Sequence, residues 1–264
     1  IANLPQQGSL LVNPLFHISG LGASFLNPLC AGSKIVMMRR WNGEDATKLI
    51  DDEKITMFSG VPTMMWDMLR GAKATGADLS SLRNIATGGQ ALPVNLLDEI
   101  RATCPAAVMG TGYGMTETSG SVAMAVGDDF IRNRAAAGRV SSMIDMRIEG
   151  ADGEVMPLGE PGEIVVRGPV TMLGYWDNPE ETKQTLSEDG WLKTGDVGYV
   201  DAEGYLFIID SKKDMVISGG ENIYCIRVES ALYEHPAVMD AAVVGIPHRT
   251  LGEEPGAIVH LKPG

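Results

Sequence analysis

Up to about residue 135, short apolar runs alternate with segments whose apolar residues recur at helical spacing, and this alternation most constrains the fold. Residues 33–38 and 55–58 read as buried strands, with residues 41–52 helical between them, a β-α-β unit. Met64, Met65, Met68 and Leu69 follow Pro62 on one helical face and read as core filler, because methionine adapts to irregular gaps. Residues 84–87 read as a strand ending in Gly88-Gly89, residues 92–101 as a helix with Pro93 near its start, and residues 106–109 as a further strand. Strands separated by helices pair in parallel, so this region is predicted to be an α/β unit with a parallel sheet.

Beyond that point the texture changes. Residues 145–149, 163–167, 190–193, 198–200 and 205–209 are short strand-like pieces divided by turn signals such as Asp152-Gly153 and Glu203-Gly204, which predicts an antiparallel, barrel-like unit. From Asp214 a Gly219-Gly220 turn, a helix over 227–233 and strands over 241–246 and 257–261 read as the start of a small α+β carboxyl-terminal domain. The predicted division is therefore 1–135, 136–212 and 213–264. With 264 residues and 44% hydrophobic content, the chain can build real cores. It opens at Ile1 and stops at what reads as the turn after a strand, so it reads as a fragment of a longer protein.

The net charge of -13 argues against nucleic acid and anionic membrane as general partners, and an anionic ligand would need local donors. Cys30, Cys104 and Cys225 are odd in number and far apart, which argues against a disulfide framework or a cysteine metal site and fits a cytoplasmic protein. No apolar run approaches the ~20 residues that span a bilayer.

Four groups of residues carry chemistry. Tyr113-Gly114-Met115-Thr116-Glu117 combines a ring, a hinge, a hydroxyl and a carboxylate; after the run 106–109 and a Gly110-Thr111-Gly112 turn, it reads as a loop at the carboxyl end of a strand, where open α/β sheets bind ligands. Gly88-Gly89-Gln90 sits between strand and helix, where absent side chains let a flat ring or an anion approach the backbone. Thr194-Gly195-Asp196 places a carboxylate in a tight turn between strands, suited to a pair of ribose hydroxyls. Lys212-Lys213-Asp214 followed by Ser218-Gly219-Gly220-Glu221-Asn222 puts cations and a flexible loop at a domain junction. Each has an ordinary structural reading too: a polar loop, a strand-to-helix turn, an Asp capping a turn, a solvated charge run.

Taken in order, Pro14-Leu15-Phe16-His17, Gly88-Gly89, Tyr113 to Glu117, Gly174-Tyr175-Trp176, Gly190-Trp191-Leu192-Lys193-Thr194-Gly195-Asp196 and Ser218-Gly219-Gly220-Glu221-Asn222-Ile223-Tyr224 resemble the adenylate-forming superfamily, specifically its acyl-CoA synthetases. The resemblance implies a two-step ligase using ATP, Mg²⁺ and CoA: a carboxylic acid displaces pyrophosphate from ATP to form an acyl-adenylate, and the CoA thiol then displaces AMP. It implies that Tyr113 stacks on adenine beside Gly114, that Gly88, Gly89 and Gln90 give nucleotide and acyl group room, and that Thr116 contacts phosphate. It further implies that Glu117 binds Mg²⁺, that Asp196 holds the ribose, and that His17 lines the acyl pocket, where a structural histidine is the alternative. Lys213 falls at the family's hinge, and Gly219-Gly220 faces the pantetheine arm of CoA. Small residues at Gly88, Gly110 and Gly112 leave room for a fatty or aryl tail.

The chain also departs from the pattern. Ser211 stands where an arginine usually helps hold the nucleotide, and serine cannot supply that cationic fork. Cys225 and Arg227 replace a common proline and glutamate. The family's glycine-rich phosphate loop and its late lysine have no counterpart in residues 1–264, so the chain by itself is expected to be catalytically incompetent or nearly so. A non-catalytic nucleotide- or acyl-binding module is the alternative from another class; within the enzyme class, peptide-synthetase adenylation domains and luciferase-type oxidases share the fold.

Overall fold

The computed structural model describes residues 7–88, 94–211, 215–218, 221–233, 235 and 237–261. The chain divides into two compact units, Ile1–Ile144 with Gly168–Tyr175, and Asp145–Arg167 with Trp176–Gly264.

The first unit carries a sheet of β1 (Gly8–Leu11), β2 (Lys34–Met37), β3 (Met57–Ser59), β4 (Asn84–Gly88), β5 (Val108–Met115), β6 (Gly120–Val126) and β7 (Arg139–Val140). Their order is β2-β1-β3-β4-β5-β6-β7, parallel through β5 and antiparallel for β6 and β7. The predicted parallel α/β sheet is thus present. β1 lies between β2 and β3, and its four residues are too few to display a period.

The helices of this unit are α1 (Asn27–Cys30), α2 (Gly43–Asp52), α3 (Pro62–Thr75), α4 (Val94–Thr103) and α5 (Asp128–Arg132). α2 starts where the Asn42 side chain accepts the Asp45 N–H at 3.0 Å, with Glu44 and Asp45 complementing the helix dipole. Ala46 and Ile50, one turn apart, are fully buried. α3 begins with Pro62, whose missing N–H costs nothing in a first turn, and ends at Gly76 in the left-handed region at φ 72°. The two helices meet closely: a Cβ at Gly71 would collide with the carbonyl of Gly43. Met65 and Met68 are fully buried among Leu10, Ile50, Phe58, Ile85, Leu97 and Ile100, as expected of core filler. Asn42→Ala is expected to cost about 1 kcal/mol through the lost cap, read as a lower urea midpoint with an unchanged slope.

The second unit contains β8 (Asp145–Glu149), β9 (Gly162–Arg167), β10 (Leu192–Val200) and β11 (Leu206–Ser211), antiparallel in the order β11-β10-β9-β8, with α6 (Pro179–Thr185) on the connection from β9 to β10. The guanidinium groups of Arg147 and Arg167 both lie over the Trp191 ring, at 4.1 and 4.7 Å from its centre. The unit ends in β12 (Val216–Ser218), β13 (Glu221–Ile223), α7 (Cys225–Tyr233), β14 (Val238–His248) and β15 (Gly252–Leu261), with sheet order β13-β12-β15-β14. Val216, Cys225 and Val243 form its small core, and the Glu229 carboxylate of α7 accepts the Val243 N–H of β14 at 2.8 Å.

Candidate functional site

β4 and β5 are parallel neighbours with Gly88 opposite Gly112, so two motifs distant in sequence reach the carboxyl end of the sheet together. Tyr113 and Gly114 do not form a loop, as the sequence suggested; they continue β5, and Gly110-Thr111-Gly112 lies inside the strand. The glycines that resembled a turn serve instead the close passage of β6. A Cβ at Gly110 would sit 3.0 Å from the Ala125 carbonyl oxygen, one at Gly112 would sit 2.8 Å from Ser121 Oγ, and one at Gly114 would overlap the Gly120 carbonyl. At Gly110 and Gly112 the side on which a Cβ would stand is therefore crowded by β6. Among the described residues, a Cβ at Gly88 would meet only the Gly112 carbonyl oxygen, at 3.5 Å.

After Met115 the chain makes a single 3₁₀ turn, Thr116–Thr118. Its shape is set by Thr118, which is buried. The Thr118 hydroxyl accepts the Met115 N–H at 2.9 Å and lies 3.0 Å from the Met115 and 2.7 Å from the Gly120 carbonyl oxygens. The turn leaves Thr116 exposed and Glu117 half-buried. Glu117 is held from outside the turn: its carbonyl accepts the Met172 N–H at 2.8 Å, and its Oε1 accepts the Tyr175 hydroxyl at 2.7 Å. Neither Thr118 nor Tyr175 was singled out by the sequence reading. Tyr175 stood within the Gly-Tyr-Trp motif, which was the available signal, while Thr118 adjoined a motif without belonging to it.

His17 closes a turn on Pro14, just before a π-helical segment, Ser19–Leu26, that packs against β6. A backbone N–H can only donate, so the Ser19 N–H at 3.2 Å makes His17 Nδ1 an acceptor and puts the neutral ring's proton on Nε2. π-Helical turns are frequent at functional sites. In the second unit, Thr194-Gly195-Asp196 is not a tight turn between strands. It is a bulge inside β10, where the pairing with β9 slips between Lys193 and Val197 and Gly195 takes φ 75°. The bulge is braced by the Thr194 hydroxyl donating to the Ile164 carbonyl at 2.7 Å and by the Asp196 N–H donating to Thr194 Oγ1 at 3.1 Å. Asp196 is thereby placed opposite Ser211 on β11. Gly89, Gln90, Lys213, Gly219 and Gly220 lie outside the described residues.

Among the described residues, no group of three or more His, Cys, Asp or Glu side chains could hold a metal by itself. Mg²⁺ does not need one, because it is commonly bound by one or two carboxylates with substrate phosphates, and a half-buried Glu117 beside an exposed Thr116 fits that mode. Cys104 is buried, and burial first, then the charge of Asp78, pushes its thiol up to about 11, so it offers no thiolate nucleophile. No described helix is long and apolar enough to cross a membrane.

Residues 2–176 match the AMP-binding enzyme family, and residues 227–264 match the AMP-binding enzyme C-terminal domain. A feruloyl-CoA synthase from an Amycolatopsis species is 39% identical over 251 residues, covering 95% of this chain and 50% of the relative. A 2-succinylbenzoate–CoA ligase from Bacillus licheniformis is 39% identical over 248 residues, covering 94% of this chain and 50% of the relative. The o-succinylbenzoate CoA synthetase of Bacillus subtilis, solved in complex with ATP and magnesium ion, superposes with a TM-score of 0.86 at 37% identity, covering 100% of this chain and 54% of that one. The chain spans about half the length of the curated relatives it matches.

Proposed function

Because the chain belongs to the AMP-binding enzyme family, we propose that it is the nucleotide- and acyl-binding part of an ATP-dependent acyl-CoA synthetase acting on a fatty or aryl acid. One observation supports the reading: the in-register pairing of Gly88 with Gly112 brings the strand ends that carry the two motifs side by side at the carboxyl edge of the sheet. Relatives named as ligases of ferulate, succinylbenzoate, indoleacetate and long-chain fatty acids support the substrate class.

In this reading a carboxylate oxygen of the acid attacks the α-phosphorus of ATP, pyrophosphate leaves, and the CoA sulfur then attacks the acyl carbonyl and expels AMP. Tyr113 offers a face for adenine, and the open backbone at Gly88 admits the acyl group. Thr116, exposed at the end of the sheet, donates to a phosphate oxygen. Glu117 is the Mg²⁺ carboxylate; Mg²⁺, when bound, neutralises charge on the phosphates during the transfer. Asp196 accepts from the ribose hydroxyls, and His17, with its proton on Nε2, presents a donor to the acyl pocket. Gly89, Gln90, Lys213, Gly219 and Gly220 keep the roles that the family pattern suggests. We propose the division 1–135, 136–212 and 213–264 for the adenylation, antiparallel and mobile parts, and a cytoplasmic setting.

The test is AMP release by the complete protein with ATP, Mg²⁺ and CoA across a panel of aryl and fatty acids. Acid-dependent AMP release is expected; none with any acid would overturn the reading. A binding module without catalysis is the second reading, favoured by Ser211 opposite Asp196. Cross-strand partners lie about 5 Å apart at Cβ, so an arginine at 211 would stand beside Asp196, where a charge-assisted bond to the nucleotide adds roughly tenfold affinity. Ser211→Arg in the complete protein is therefore expected to tighten ATP binding about tenfold by calorimetry. No tightening together with no AMP release would favour the binding module.

A further inference from the structure

The residues 168–175 form a short strap of the first unit that hydrogen-bonds to Glu117 of the site turn through both its backbone and its side chain. The Met172 N–H fixes the Glu117 backbone at 2.8 Å, and the Tyr175 hydroxyl donates to one of its two carboxylate oxygens at 2.7 Å. The strap is itself braced, because the Thr171 hydroxyl donates to the Gly168 carbonyl at 2.9 Å. A phenol that donates to one carboxylate oxygen takes one of its two lone pairs, restrains the torsion of the carboxyl group and leaves the other oxygen the more available. Groups hydrogen-bonded to a metal ligand orient it and tune its affinity in this way.

We propose that Tyr175 is a positioning residue for Glu117, reserving Oε1 and presenting Oε2 to the metal ion that accompanies ATP. The proposal rests on the assignment of Glu117 to Mg²⁺ and adds to it a group that would orient the carboxylate. It also gives the Gly174-Tyr175-Trp176 motif a role distant in sequence from the residue it serves. Tyr175 does not touch substrate in this scheme. Its removal should weaken metal binding through the lost bond to the Glu117 carboxylate.

The experiment uses Mn²⁺ as a spectroscopic substitute for Mg²⁺. Binding of Mn²⁺ in the presence of saturating ATP is followed by electron paramagnetic resonance for the unaltered protein, Tyr175→Phe, Glu117→Gln and the double variant, with thermal unfolding of each as a control for folding. Tyr175→Phe keeps the ring and is expected to weaken Mn²⁺ binding about tenfold. In the Glu117→Gln background the same change is expected to have no further effect, a non-additivity that a merely structural role would not produce. If Glu117→Gln weakens Mn²⁺ but Tyr175→Phe does not, or if the two losses add, the positioning role falls and the Glu117 assignment stands. If Glu117→Gln itself leaves Mn²⁺ binding unchanged, both fall.

Discussion

Gly114→Ala is expected to lower the unfolding free energy by about 3 kcal/mol and to abolish nucleotide binding. The added methyl would overlap the carbonyl of Gly120 and lie 2.7 Å from the Cα of Ser121. All of these are backbone atoms of β6, so no rotamer change relieves the contact, and the two strands must part at the bulge already present between Tyr113 and Gly114. Parting them moves Met115, whose N–H and carbonyl are both tied to Thr118. The displacement therefore reaches Thr116 and Glu117 as well as the strand. Urea denaturation measures the first effect and ATP calorimetry the second. An alanine variant with the unaltered urea midpoint would show that β6 does not pass as close as described.

Phe58→Ala is expected to cost about 4 kcal/mol without any direct effect on the site residues. Phe58 is 2% exposed, lies on β3 between β1 and β4, and projects into the core shared by the sheet and α2, α3 and α4. Its ring stacks on Trp41 at 5.8 Å between centres, and the Trp41 indole donates to Asp67 of α3 at 2.9 Å. Removal leaves a cavity that backbone-anchored neighbours cannot fill and withdraws the partner that orients Trp41. Urea denaturation followed by tryptophan fluorescence reads both consequences. A loss under about 2 kcal/mol would mean that the core collapses around the gap.

The fold was legible wherever hydrophobic periodicity was long. α2 and α3 show their buried faces in the sequence, and β4 begins at Asn84, where the sequence predicts it. Glycine misleads where it resembles punctuation. In β5 and β10, glycines lie within strands: at 110, 112 and 114 because a neighbouring strand crowds the Cβ position, and at 195 because a bulge takes positive φ. Composition cannot tell a turn glycine from either, since all are selected for the missing side chain and differ only in what surrounds it. The motif residues Tyr113, Thr116 and Glu117 were visible because their side-chain types are chemically uncommon in combination. Thr118 and Tyr175 were not, because a hydroxyl gives no sign in sequence of which oxygen it will meet. The Tyr175 contact joins residues 58 apart.

The Thr118 turn has a bearing on protein engineering. The described bonds of its hydroxyl all close within residues 115–120, so the local shape is written in a hexapeptide and closes a loop too short to carry much entropy. Such a segment is a portable cassette: transplanted between two antiparallel strands of an unrelated scaffold, with a glycine retained at the first and last close approach, it should keep its form. Its aim would not travel with it, because the direction of the carboxylate is supplied by a strap that the graft leaves behind.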